Sequence, residues 1–398
     1  DENGMIDADG ILNDMIDIII LGATGSIGKQ AISLIKDSQE YNLIGFTFDR
    51  NYKEALKILD EFPNVKAIGI NDSKIASIIE ERYKNSLSIF KGEKANIELI
   101  NCYKGTFVLN ALSGISGIEP SFEAIKNKSI LALANKETIV VGGELFKKYC
   151  KQYDATIYPV DSEHSALYKL LSKFDKDEIN KIVITASGGS LRNFDLSKLS
   201  KATINDVLNH PTWKMGAKIT VDCATMINKA FEVIEASVLF NYPIDKIEVL
   251  MHDQSLIHAG LRTVDDSLVL ESGPNDMRIP LAYALNGMKR IKVKDVSKLL
   301  LNENNPLTFR TFDEKRYPIF NFTLDAFKKG GTALAIINAS DEIAVNAFLE
   351  NKIKYTNIYD VIRQTFNRCR IAPVDYLEDI MYALKTAKDE ALKVIESL

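Results

Sequence analysis

The 398 residues carry 46% hydrophobic and 26% charged side chains with a net charge of −5, a globular balance on more chain than one core usually organises, so two or three domains are expected. No basic field points to nucleic acid or an anionic membrane, and no apolar run approaches the roughly 18 residues of a membrane span. Cys102, Cys150, Cys223 and Cys369 lie far apart without metal-finger spacing, which suits a reducing compartment; the cytoplasm is the default location, and a processed plastid protein would look the same.

Residues 1–14 are acidic and lack Lys and Arg. They read as a cloning remnant or loose extension and not as a signal or transit peptide. From Met15 the pattern is regular. MIDIIIL (15–21) is a continuous apolar run of the kind a buried parallel strand needs. It leads into GATGSIG (22–28) and the helical KQAISLIKD. Further strand runs follow at 43–48, VKAIGI, GTFVLNAL, KSILALAN and ATIYPV, with helices between. This alternation predicts an α/β, doubly wound, Rossmann-like sheet over about 15–160.

The middle of the chain, about 161–297, reads as an α+β domain. After KIVITAS come a glycine-rich turn, a helical block near 228–240, and three strand-like runs, KIEVLMHD, SLIHAGLRTV and SLVLES. Their short polar turns predict an antiparallel sheet whose exposed face is a plausible dimer surface. A linker at 298–310 and a C-terminal helical bundle over 311–398 complete the expected order, with Gly330–Gly331 separating two helices.

Four groups of residues carry chemistry. The GATGSIG loop, between a buried strand and a helix, is a variant of the dinucleotide fingerprint, in which glycines admit a pyrophosphate to the helix N-terminus. At the end of the second strand, Asp49 suits a ribose hydroxyl and Arg50 a 2′-phosphate, so the choice between NAD and NADP stays open there. Asn135, Lys136 and Glu137 fall at a strand's carboxyl end, where open α/β sheets bind ligands, though a solvated loop fits equally.

Asp161 and Glu163 can face one side and repel unless a cation or proton lies between them. Hard oxygen ligands favour Mg²⁺ or Mn²⁺, and a helix N-cap is the competing reading. Asn228 and Glu232 share a helix face beside Lys229, as innocent surface sets also do. Ser187-Gly188-Gly189 could offer donors to a phosphate. Trp213 fits a core position or a lid. Among the four histidines, His252 and His258 read as structural, and His210 is the exception to watch.

Taken in order, GATGSIG, LANKET, PVDSEH, ASGGS, HPTWKMG, ATMINKAFEVIEA, QSLIH and NDMRIP resemble the 1-deoxy-D-xylulose-5-phosphate reductoisomerase family across 15–398. The resemblance implies an NADPH-binding domain (15–160), a catalytic, metal- and substrate-binding domain (161–297) with a lid near 205–216, a helical C-terminal domain and a homodimer. It implies isomerisation by retro-aldol and aldol steps, then reduction, of 1-deoxy-D-xylulose 5-phosphate to 2-C-methyl-D-erythritol 4-phosphate in non-mevalonate isoprenoid synthesis.

By the same resemblance Lys136, Asp161, Glu163 and Glu232 form the catalytic set, and Asp161, Glu163 and Glu232 hold Mg²⁺ or Mn²⁺. Lys136, Ser162 and Glu163 hold the substrate's carbonyl and hydroxyls. Ser187, Cys223, Asn228 and Lys229 meet its phosphate, with His210 closing the site and Trp213 in the lid. Thr24, Gly25, Ser26, Ile27, Arg50, Asn51, Asn135, Glu137 and Gly216 contact NADPH.

Three positions depart from the family pattern. Cys223 stands where serine is usual, and a thiol is a poorer donor, so Cys223→Ser is expected to lower the KM for substrate. Ser190-Leu191 replaces Pro-Phe, and Asp49 replaces a small residue near the ribose, which puts strict NADPH preference at issue. Two other classes remain in play. A simple NAD(P)-dependent sugar-phosphate oxidoreductase would need no metal-binding trio. A nucleotide-binding sensor would have no chemical reason to combine Lys136 with three carboxylates.

Overall fold

A computed structural model describes residues 15–38, 40–213, 215–304 and 306–398. The expectation for 1–14 and the lid residue Lys214 lie outside them. The described chain divides into two compact units, residues 15–138, 148–161 and 277–294 in the first and 139–147, 162–276 and 295–398 in the second.

The chain opens with β1 (Ile16–Leu21), α1 (Ser26–Lys36), β2 (Tyr41–Phe48), α2 (Tyr52–Glu61), β3 (Ala67–Ile70), α3 (Ser73–Tyr83) and β4 (Ser88–Lys91). It continues with α4 (Ala95–Cys102), β5 (Phe107–Asn110), α5 (Ile118–Lys126), β6 (Ile130–Leu133), α6 (Lys136–Tyr153) and β7 (Thr156–Pro159). The seven strands form one parallel sheet in the order β4-β3-β2-β1-β5-β6-β7.

Ile18, Ile19, Ile20 and Leu21 are fully buried, because helices cover both faces, and this is why β1 is apolar without alternation. The order reverses between β1 and β5. Ligands of such sheets lie beyond the strands' carboxyl ends at that point, and the glycine loop follows β1 there. Strand β4 escaped the sequence reading; it is a short edge strand, only partly buried, so its pattern carries little signal.

In the second unit α7 (Ser162–Leu171), β8 (Ile179–Ala186), α8 (Ile204–Leu208), α9 (Ala217–Thr225) and α10 (Ile227–Phe240) lead to β9 (Ile247–Met251), β10 (Ile257–Thr263) and β11 (Leu268–Ser272). The expected antiparallel meander is corrected here. The sheet order is β11-β10-β8-β9, with β10 antiparallel to β11 and β8 but β9 parallel to β8.

Burial explains the arrangement. Ile182, Val183 and Ile184 are fully buried, so β8 takes an inner position and the half-buried β9 is left at an edge. A parallel pair needs a crossover, supplied by the excursion through α8, α9 and α10. The core under this sheet joins Leu167 and Leu170 to Ile182, Ile184, Val233 and Leu261, with Tyr317 and Phe320 from the C-terminal region.

Next comes α11 (Arg278–Leu285), which packs on α1 within the first unit, although sequence alone grouped this stretch with the middle section. The end is helical, as expected: α12 (Pro318–Lys329), α13 (Ala333–Leu349), α14 (Asn357–Arg368) and α15 (Leu377–Glu396). Helix α13 is buried on nearly all sides and packs against α12, α14, α15 and α9. Gly331 turns the chain into it at φ 55, where a Cβ would stand 2.3 Å from the Ala372 carbonyl oxygen.

Candidate active site

The glycine loop is built by close approach. Gly22 has φ 77 and donates its N–H to Thr47 Oγ1 at 3.0 Å, tying the loop to β2. A Cβ on Gly28 would lie 2.2 Å from the Gly22 carbonyl oxygen, so only glycine lets α1 pack this tightly on the loop. Ala23 and Gly28 are buried, whereas Thr24, Gly25, Ser26 and Ile27 face outward in part or in full. Gly25 caps α1 without a side-chain hydrogen bond. The helix therefore presents backbone N–H groups and the positive end of its dipole, as an anion site requires.

At the end of β2, Arg50 is 80% exposed and pairs loosely with Asp49 at 3.8 Å and Asp72 at 3.6 Å. Exposed pairs of this kind are weak, which leaves the guanidinium easily recruited by another anion. Asn51 is the N-cap of α2, accepting from the Glu54 N–H.

Asn135 is differently placed from a free ligand contact. It is buried, donates from Nδ2 to the carbonyls of Leu112 and Gly114 at 3.0 and 2.8 Å, and accepts the Thr138 N–H at 3.0 Å. Asn110 Nδ2 donates to Gly117 O and Ser121 Oγ, and Thr138 Oγ1 lies 2.9 Å from Ser121 Oγ. This buried network fixes the loop after β5 against the start of α6. Sequence reading missed Asn110 and Ser121 and gave Thr138, the last residue of LANKET, no role of its own; the available signal was an asparagine ending an otherwise apolar strand. Glu137 is half-buried in the first turn of α6.

Lys136 Nζ pairs with Asp161 Oδ2 at 3.0 Å. One residue on, α7 begins, and Ser162 Oγ donates to Glu163 Oε2 at 2.6 Å. Glu163 Oε1 accepts from Lys229 Nζ at 2.9 Å, Lys229 also pairs with Glu232, and Asn228 Nδ2 donates to Glu232 Oε1 at 2.6 Å. Asn228, Lys229 and Glu232 are all buried, on the face of α10 that the i, i+4 spacing predicted. Burial alone would lower the Lys229 pKa, but Glu163 and then Glu232 outweigh it and hold the ammonium charged, with its pKa raised.

Asp161 is joined to Glu163 through Ser162 alone, and Glu163 and Glu232 share the Lys229 ammonium. His164, given no role from sequence, is fully buried beside them. Its Nε2 donates to the Glu232 carbonyl oxygen at 2.9 Å and its Nδ1 faces Glu235 Oε2 at 3.4 Å. It thus holds the backbone of the helix turn bearing Glu232. His258 lies within the field of Glu163; burial lowers its pKa, against the pull of that carboxylate. His252 is satisfied by Thr308 O and the Leu256 N–H, in keeping with a structural role.

Ser187, at the end of β8, meets His210. Their Oγ and Nε2 are 3.3 Å apart. His210 Nδ1 accepts two backbone N–H groups, from Thr212 at 3.1 Å and Trp213 at 3.0 Å. Its proton therefore sits on Nε2, which donates to Ser187. Gly188 and Gly189 both have positive φ; a Cβ on Gly189 would lie 2.6 Å from the Cys223 carbonyl oxygen. That contact puts the partly buried Cys223 on the helix behind the loop. Ser190, the departure noted above, donates to Val207 O at 2.6 Å and so anchors the segment leading to Trp213. Trp213 is partly buried, and Gly216 caps α9. Lys229 Nζ contacts the two carboxylates, whereas Ser187 stands with His210.

Burial, and then the charge of Arg192, lower the His210 pKa below its ordinary 6.5. A depressed folded value means stability present above the unfolded pKa and lost as pH falls through the folded one. Protonation at Nδ1 would oppose the Thr212 and Trp213 N–H groups. Fluorescence of Trp213, the one tryptophan in the chain, is expected to shift as pH falls below about 6.5 and to lose that transition in His210→Asn. A transition unchanged in the variant would refute this.

Comparison with known proteins agrees across the chain. The family model described as 1-deoxy-D-xylulose 5-phosphate reductoisomerase matches residues 18–143, and models of its C-terminal domains match 157–240 and 272–390. A Bacillus pumilus protein named 1-deoxy-D-xylulose 5-phosphate reductoisomerase is 38% identical over 373 residues, 94% of this chain and 97% of its own. A Clostridium acetobutylicum protein of the same name is 40% identical over 358 residues, covering 89% and 92%. The Zymomonas mobilis reductoisomerase solved with NADPH superposes with a TM-score of 0.88 at 32% identity, covering 97% of this chain and 100% of that one. A reductoisomerase solved with NADPH, fosmidomycin and magnesium gives 0.88 at 30% identity, covering 96% and 98%.

Proposed function

The chain belongs to the 1-deoxy-D-xylulose 5-phosphate reductoisomerase family, and from that premise we propose how its residues divide the work. It isomerises and reduces 1-deoxy-D-xylulose 5-phosphate to 2-C-methyl-D-erythritol 4-phosphate with NADPH and a divalent metal, for isoprenoid synthesis. The observation that carries the assignment of roles is the pair of carboxylates Glu163 and Glu232 held by Lys229 in the second unit, with Asp161 paired to Lys136 in the first.

That donor set is all hard carboxylate oxygen, which suits Mg²⁺, with Mn²⁺ as the alternative, and disfavours softer metals. Bound there, the ion would polarise the substrate carbonyl and acidify the neighbouring hydroxyl, while NADPH supplies the hydride. Lys136, Ser162 and Glu163 would orient the carbonyl and hydroxyls. Lys229 neutralises Glu163 and Glu232 in this structure; a divalent ion satisfying those carboxylates would release its ammonium toward the phosphate. Ser187, Cys223 and Asn228 would complete that phosphate site, with His210 closing it. Trp213 in the lid would keep water from the reacting centre.

Thr24, Gly25, Ser26 and Ile27 would meet the NADPH pyrophosphate through backbone donors, and Arg50 the 2′-phosphate. Asn51, Asn135, Glu137 and Gly216 would complete its contacts. For Asn135 the internal hydrogen bonds favour shaping the pocket over donating to the cofactor. The homodimer and the cytoplasmic location remain parts of this proposal, as do the divisions near 160, 297 and 310, except that 277–294 goes with the first unit. Among the described residues no helix is long and apolar enough to cross a membrane.

The test is oxidation of NADPH with 1-deoxy-D-xylulose 5-phosphate, with and without Mg²⁺ or Mn²⁺, repeated with NADH. Metal-dependent turnover favouring NADPH is expected. Comparable rates with NADH would remove Arg50 from its role, and no turnover in folded, metal-supplied protein would overturn the functional reading.

A further inference from the structure

One ionic cluster outside the residues assigned above joins the helix after the lid to the C-terminal helices. Lys218 Nζ contacts Asp222, one turn along α9, and Asp341 Oδ2 on α13 at 2.5 Å. Asp341 is fully buried and Asp222 nearly so. Among the described residues, Oδ1 of each carboxylate is buried without a hydrogen-bond partner. Two desolvated carboxylates sharing one ammonium is a costly arrangement, weak as a source of stability alone.

The position of α9 gives the cluster a use. On its other side the helix meets the Ser187–Ser190 loop, where a Cβ on Gly189 would be 2.6 Å from both the Cys223 carbonyl oxygen and Ala224 Cα. At its end, Met226 turns the chain at φ 68 directly into the helix of Asn228 and Lys229. Any shift of α9 is therefore transmitted to Cys223, to the loop of Ser187, and to the start of α10.

We propose that Lys218, Asp222 and Asp341 form a positioning latch that seats α9 on α13 and thereby sets the site's affinity for the substrate's phosphate. The inference rests on the reading that Ser187, Cys223, Asn228 and Lys229 hold that phosphate. Burial, and then the charge of Asp222, push the Asp341 carboxyl up to about 7 against the pull of Lys218. The charged groups acting on it are these two, both from α9; Glu342, beside it on α13, is paired with Lys388 of α15. Above this pH Asp341 adds a negative charge beside Asp222, the residue before Cys223.

The experiment uses the whole chain, with KM for the sugar phosphate, KM for NADPH and kcat measured for Asp341→Ala and Asp341→Asn on both sides of pH about 7. Asp341→Ala is expected to raise the sugar-phosphate KM about tenfold while leaving the NADPH KM within about twofold. Asp341→Asn keeps the shape and can still accept from Lys218. It is expected to match the wild type at lower pH and to bind the sugar phosphate more tightly than the wild type at higher pH. A folded alanine variant with unchanged sugar-phosphate KM overturns the latch. So does an asparagine variant whose KM follows the wild type at every pH, and that comparison decides even where the alanine variant does not fold. Wild-type protein inactive on the sugar phosphate would instead overturn the functional reading beneath it.

Discussion

Glu232→Gln is expected to lower kcat/KM by roughly 10²–10³-fold, the scale on which a buried electrostatic contact to the reacting centre acts. The change is almost isosteric, so the loss follows from donors and acceptors. Glu232 accepts from Asn228 Nδ2 on one oxygen and pairs with Lys229 through the other. A glutamine amide must aim its NH₂ at one of these donors. One buried donor then loses its acceptor, at a cost of about 1–3 kcal/mol, and the proposed metal site loses one carboxylate oxygen. Mg²⁺ titration by calorimetry should show affinity falling with kcat. Unchanged metal affinity together with full activity would remove Glu232 from the metal site.

Gly28→Ala should weaken NADPH binding about 10²-fold, the scale of a displacement near 1 Å. The added methyl would overlap the Gly22 carbonyl oxygen and Ala23 Cα, at 2.2 and 2.6 Å. Both are backbone atoms that cannot rotate away. The strain is relieved by pushing α1 off the loop, which moves its N–H groups from the pyrophosphate and costs about 1–3 kcal/mol of stability. Fluorescence titration with NADPH and a melting curve separate the two effects. A variant with lowered melting temperature but wild-type NADPH affinity would show that the α1 terminus does not bind the cofactor.

The first unit was legible because its strands are buried on both faces, so β1 and its glycine loop announce themselves as a run of isoleucines followed by GATGSIG. β4 was not legible, since a short edge strand has no such run. In the second unit the strands themselves were visible, but pairing was not. Nothing in KIEVLMHD says that it lies parallel to β8 and not against the strand that follows it.

The site divides in the same way. Asp161 and Glu163 read as a carboxylate pair at a strand end, but Glu232 joined them only through the family resemblance, since its i, i+4 spacing to Asn228 is common on ordinary surface helices. His164 did not stand out, because its partners are the Glu232 backbone and Glu235, far along the chain, and a histidine in a helix says nothing of them. The network of Asn110, Ser121 and Thr138 and the pairing of Lys218 with Asp341 were hidden for the same reason: each is defined by a contact, and the residue types alone are common.

The parallel pairing of β8 with β9 has a kinetic consequence. Ile182 faces Ile247 in register, and everything between them, including Ser187, His210, Cys223 and Glu232, lies on the intervening loop. Closing so long a loop costs entropy before any strand contact compensates it. The sheet's last edge therefore locks late, after α9 and α10 have folded, and refolding of this unit should be slow and sensitive to changes in the lid's length. For the same reason a single cut in the lid leaves two fragments that the sheet can hold together, so a nicked chain should stay assembled under native conditions and separate only on unfolding.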